Sequence, residues 1–185
     1  MRWAVLICVG AVGASAGPTL DRLIDFQQYR YGQPPREFEY DATGPHGPVL
    51  AAGRPMWRAY VDLFAPSPKL VLIQASALAK ADHYPIAVLR DISLEDVKLA
   101  VSFKLLGGQL ARSAGLFWRA TDKSNYHAAL VDGRNRELRL VKLRSGRAVE
   151  WAQAKAAFDD AAWNSLEVSV QGDRVRLWLN DQWRD

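Results

Sequence analysis

The chain has a single cysteine among its 185 residues, Cys8. That excludes a disulfide within the chain. Beyond residue 8 it also excludes a thiolate nucleophile and a zinc–thiolate site. Histidine is nearly as scarce. His46, His83 and His127 lie far apart and fit no ligand spacing such as H-E-x-x-H, and no D-x-D-x-D loop is present, so neither metal nor cofactor is expected. There is no G-x-S-x-G elbow, and Gly107-Gly108 is followed by no phosphate-loop lysine. No apolar run approaches the roughly 20 residues that a membrane-spanning helix needs. The formal charge is only +4, and its basic residues are scattered rather than blocked, so no nucleic-acid partner is expected.

What is present begins with an export pattern. Arg2 precedes an apolar run over residues 3–12, and Ala14-Ser15-Ala16 puts small residues where a signal peptidase requires them. Residues 1–16 are therefore expected to be a signal peptide, and residues 17–185 a single exported domain, periplasmic or extracellular, with no transmembrane segment. Ile7 before Cys8 is not the small residue a lipoprotein would carry there. A mature domain without cysteine must be held by its core alone.

The mature chain reads mostly as β. Val97, Leu99, Val101, Phe103 and Leu105 alternate with polar or small residues, giving a strand with one apolar face. Leu166, Val168 and Val170 alternate likewise. Gly172-Asp173 then turns the chain into Val175, Leu177 and Leu179, the pattern of an antiparallel hairpin. Between Leu138 and Leu143 the apolar phase slips, which predicts a bulge or burial on both faces. Two segments read as helix: residues 19–28, with Thr19 as N-cap and Leu20, Leu23 and Ile24 on one face, and the alanine-rich residues 152–162. Residues 44–48, Gly-Pro-His-Gly-Pro, form a loop by composition. Short strands with glycine and aspartate turns predict an all-β sandwich.

Residues 115–127, GLFWRATDKSNYH, form the most informative block: an apolar strand ending in Arg119, a polar turn, and Tyr126-His127 opening a second strand. With Trp57, Phe103-Lys104, Lys142, Gly146, Trp163 and Gly172-Asp173, it resembles the secreted bacterial jelly-roll proteins of the concanavalin-like lectin/glucanase type, related to the 3-keto-disaccharide hydrolase group. The resemblance implies a jelly-roll β-sandwich of two antiparallel sheets. Such sandwiches continue beyond the counterpart of residues 177–181 with further strands, so the expectation is a jelly roll whose last strands are truncated or divergent.

The resemblance also tests for chemistry. Glucanase relatives carry E-[ILV]-D-x-x-E, whose alternate carboxylates act together, about 5 Å apart in retaining enzymes. Glu37, Glu39 and Asp41 share one strand face but follow Pro34-Pro35 near the mature N-terminus, and read as a solvated edge. The related hydrolases carry a strand resembling "YExQxxD". Here Tyr126 and Asp132 match its ends, while His127 and Ala129 replace the glutamate and glutamine, so no catalytic residue is carried over. Non-catalytic carbohydrate recognition is therefore expected. Lys104, Arg119, Asp122, Asn125, Tyr126 and His127 are the candidate ligand-binding residues, taken to end neighbouring strands and line one polar groove with an aromatic platform. The alternatives are a glycoside-directed hydrolase of the 3-keto-disaccharide hydrolase or glucanase type, and a truncated structural remnant.

Overall fold

The computed structural model describes residues 9–12, 23–42, 56–66, 69–75, 84–90, 92, 94, 96–107 and 112–184. All regular structure among them is β-strand, and every strand pairing is antiparallel. A five-stranded sheet has the order β1 (Val9–Val12), β6 (Val97–Phe103), β11 (Asn164–Gln171), β12 (Arg174–Leu179) and β13 (Gln182–Arg184). A four-stranded sheet runs β10 (Arg147–Lys155), β9 (Glu137–Arg144), β8 (Asn125–Asp132) and β7 (Ser113–Asp122). Two ribbons complete the set: β2 (Phe38–Ala42) with β5 (Pro85–Leu89), and β3 (Trp57–Val61) with β4 (Leu70–Gln74).

The alternation seen in the sequence builds the core directly. Val101, Phe103, Leu166, Val168, Val170, Leu177 and Leu179 project from the five-stranded sheet onto Leu116, Trp118, Ala129, Val131 and Leu138 of the four-stranded one. Burying such an apolar side chain fully stabilises the fold by about 1.5–3 kcal/mol, so these facing rows dominate its stability. The expected hairpin forms with Gln171 opposite Arg174 and Gly172 at φ +54, the first central position of a type II′ turn. The β7–β8 hairpin also closes where expected, with Asp122 opposite Asn125.

The phase slip in β9 has a clear cause. Leu138 and Leu140 join the main core, whereas Val141 and Leu143 join a second cluster on the other face of the sheet, with Ile86, Tyr126 and Ala128. The inner strands of the four-stranded sheet thus carry apolar clusters on both faces. A bulge is present too, on the partner strand, where the β10 register shifts between Glu150 and Ala152.

Neither expected helix forms among the described residues. Residues 19–22 lie outside them. From Leu23 onward the chain is irregular: Phe26 adopts φ +61, and Tyr29 N donates to Phe26 O at 3.2 Å. Leu23, expected on the apolar face, is 86% exposed, while Ile24 and Phe26 are buried. In the second segment, residues 152–155 belong to β10, and residues 160–161 make a turn. The hairpin turn at Ser145-Gly146 sets a register that pairs β10 with β9 along its length, and these pairings outweigh alanine's helix propensity. Residues 14–16 and 44–48, where the cleavage site and a loop are expected, lie outside the described residues. Val9–Val12, inside the expected signal segment, pairs with β6.

Candidate functional site

The six candidate residues do not converge on one groove. Lys104 follows β6 at the end where Phe103 pairs with Asn164. There its Nζ lies 3.8 Å from Asp62 Oδ2 and 6.0 Å from the centre of the Phe64 ring. Arg119 reaches the other end of the same sheet and donates from its guanidinium to Gly172 O at 2.6 Å. Nor do the two residues end neighbouring strands, because β6 and β7 belong to different sheets. The cause of Arg119's excursion is local. Trp118 pairs with His127 and Asp122 with Asn125, leaving residues 119–121 opposite Tyr126 alone. Arg119 in this bulge has φ +50, and the bend carries its side chain across to the β11–β12 turn.

Asp122 and Asn125 act within turns. The Asp122 carboxylate accepts from Ser124 N at 2.7 Å and from Asn125 Nδ2 at 2.8 and 2.9 Å. Those hydrogen bonds, the Ser124 amide first, hold its pKa below the usual aspartate value. Asn125 Oδ1 accepts from Ser145 N at 3.0 Å, which ties the β7–β8 turn to the β9–β10 turn. Asp132 does similar work at the other end of β8, accepting from Arg134 N at 2.9 Å and from Asn135 N and Nδ2 at 3.1 and 3.0 Å.

Tyr126 and His127 are adjacent in a strand and so point to opposite faces. Tyr126 is 5% exposed, and its ring centre lies 5.3 Å from that of Phe117. It lines an apolar cleft on the outer face of the sheet with Phe117, Val141 and Leu143, holding about 740 Å³ including its open mouth. Arg139 stands at this cleft, bound through Nε to Glu150 Oε2 at 2.5 Å. Tyr126 is therefore a packing residue.

His127 faces the core side, at the place where the core ends. Trp118, Ala129 and Leu140 belong to the main cluster, but the next cross-strand pair outward, His127 and Lys142, is only half-buried. Beyond it Arg144 and Val149 are exposed. These residues and Trp151 line an open groove of about 640 Å³. Trp151 falls at the β10 bulge and meets His127 edge-on, with ring centres 5.3 Å apart and an interplanar angle of 80°. Trp118 flanks the imidazole on its other side at 6.0 Å. Burial, followed by the charges of Lys142, Arg119 and Arg144, holds the His127 pKa below its ordinary value of 6.5. Nδ1 is buried without a hydrogen-bond partner. An orphaned N–H is costlier than an orphaned lone pair, which favours the tautomer with the proton on Nε2.

Of the expected residues, then, only His127 lines this groove. Lys142, Arg144, Val149 and Trp151 were not singled out from the sequence as binding residues. The signal that locates them is the β8–β9–β10 meander, whose register places His127 opposite Lys142 and Lys142 opposite Val149. Glu39 contacts Arg90 at 3.5 Å, and Asp41 contacts Lys123 at 3.3 Å.

The sequence model of the 3-keto-alpha-glucoside-1,2-lyase-like domain matches residues 72–183, more than half of the chain. The chain belongs to this family. The match takes in β5–β12 and therefore the whole of the His127–Trp151 groove. Among solved structures, this lyase-like domain resembles the carbohydrate binding module CBM66 from Bacillus subtilis, with a TM-score of 0.50 at 21% sequence identity. The alignment covers 56% of this chain and 63% of that one, so the chain spans just under two thirds of the module's length. At that identity the likeness is one of fold, and it bears out the jelly-roll β-sandwich of the lectin type. No curated protein matches the chain significantly in sequence.

Proposed function

We propose that this lyase-like domain is an exported carbohydrate-recognition domain that holds a sugar in the His127–Trp151 groove. The observation that carries this reading is Trp151. The residue is 48% exposed, with its ring edge-on to a half-buried histidine, beside Lys142 and Arg144 in an open concavity. Sugar rings present C–H faces that pack on aromatic surfaces and hydroxyls that need hydrogen-bond partners, and this groove supplies both kinds of contact. His127 Nε2–H and the two cationic side chains are donors, which suits the acceptor lone pairs of hydroxyl and ring oxygens. The family name and the module CBM66 lend support. Export rests on Arg2, the apolar run and residues 14–16.

The test is thermal unfolding of the purified chain against a panel of soluble oligosaccharides. A ligand at about 100 times its dissociation constant adds roughly 2.7 kcal/mol to the folded state, an upward shift of about 5–11 °C for a chain of this size. Trp151→Ala should abolish the shift while leaving a cooperative melt. A panel with no stabilising glycan, or a shift that survives Trp151→Ala, would overturn the assignment.

A further inference from the structure

We infer that the sugar taken by this groove is acidic, an oligosaccharide carrying carboxylate or sulfate groups, an inference that rests on the carbohydrate reading above. The groove holds Lys142 and Arg144 and no carboxylate. Arg147 sits directly opposite Arg144 across the β9–β10 hairpin, so it adds a third cation to the same face. Like charges placed directly opposite each other on a sheet repel, and this pair lies beside Lys142, one further pair along the same face.

The contrast with the rest of the sheet is informative. Elsewhere several described cations are matched by acids. Arg139 holds Glu150 at 2.5 Å and Lys155 holds Glu137 at 2.8 Å, while Arg112 and Arg136 share Asp160 at 2.5 and 2.9 Å. Lys142, Arg144 and Arg147 form no ion pair among the described residues. Glu150, the acid nearest to them in sequence, is turned to the opposite face and neutralised there by Arg139. Arg119 adds its charge from the neighbouring strand while one of its guanidinium nitrogens donates to the Gly172 carbonyl. The chain thus concentrates unmatched positive charge around an exposed indole and covers neither. An acidic sugar meets both features at once: its ring packs on Trp151, and its anionic groups reach Lys142 and Arg144, where they relieve the Arg144–Arg147 repulsion. A neutral sugar would satisfy the indole and leave the repulsion in place.

The experiment is calorimetric titration of the full chain, at low and moderate salt, with a galacturonate trimer, a sulfated oligosaccharide and a neutral xylose or maltose trimer. The acidic probes should bind roughly ten-fold more tightly than the neutral ones, about 1.4 kcal/mol, with the advantage shrinking as salt rises. The double variant Lys142→Gln/Arg144→Gln should remove that advantage, so that acidic and neutral trimers bind it with equal affinity. The carboxylate and sulfate arms show which anion is preferred. Equal binding of neutral and acidic trimers overturns the inference and leaves the carbohydrate reading standing. Failure of every sugar to bind overturns both. An acidic advantage that persists in the double variant also overturns the inference, because the anion would then bind elsewhere. So does a single-stranded oligonucleotide binding as tightly as the galacturonate trimer, because the groove would then select charge without sugar.

Discussion

Gly115, which opens the GLFWR block, pairs with Leu130 of β8. A Cβ added there would lie 2.2 Å from Ala129 O, 2.8 Å from Leu130 Cδ2 and 3.1 Å from Ala129 C. Two of those three atoms belong to the β8 backbone, which cannot step aside without lengthening the β7–β8 hydrogen bonds. Gly115→Ala should therefore fall at the upper end of overpacking costs, about 3 kcal/mol. For a domain of this size that is a fall in Tm of roughly 6–12 °C. Differential scanning calorimetry of wild type and variant measures it, and a second variant identifies the clashing partner. Leu130→Ala removes the side-chain contact at 2.8 Å but not the carbonyl, so the loss from Gly115→Ala should persist almost unchanged in the double variant. A drop of less than about 2 °C would refute the reasoning, as would recovery of most of the loss by Leu130→Ala. Either result would mean that the strand approach is looser than the geometry states, or that only a flexible side chain opposes the methyl.

Two further outcomes follow from groups already described. Asp132→Ala takes the acceptor from two turn amides and the Asn135 side chain in a part-buried turn, which should cost about 1–3 kcal/mol and lower Tm by roughly 2–12 °C in the same calorimetric assay. His127 ionises near 6.5 in the unfolded chain and lower in the folded one, so the unfolded state takes up its proton first as pH falls. Its contribution to stability is therefore complete above 6.5 and diminishes as pH drops through the window between the two values. Tm measured across that window should decline less steeply in His127→Gln than in the wild type.

The fold was legible in the sequence wherever one face of a strand is buried. The alternation in β6, β11 and β12 and the Gly172-Asp173 turn state the sandwich plainly, because a period of two has one physical reading when polar residues fill the gaps. The segment 152–162 misled because its β10 part, residues 152–155, is largely exposed and half alanine. Alanine on an edge strand carries no face pattern, and its helix propensity then dominates a local reading while the controlling influence, register with β9, is non-local. The site was legible only at His127. Lys104 and Arg119 follow apolar strands and look equivalent in sequence. One is paired with Asp62 and the other reaches Gly172, at opposite ends of a sheet, because a bulge after Trp118 redirects the second. Asp122 and Asn125 are turn formers first, and their residue types carry no sign of a ligand.

The bulge at Trp151 has a consequence for how copies of this chain meet one another. β10 is nine residues long, forms the outer edge of its sheet and is exposed along almost its whole length. A flat edge of that kind is a template on which another chain can extend the sheet. The extra residue between Glu150 and Ala152 interrupts the row of free backbone groups midway and increases the local twist, so an incoming strand can align with only half of it. The residue that turns an indole toward the groove therefore also keeps the edge from propagating. On the proposed reading, one insertion in the strand serves both sugar recognition and protection of the sheet edge.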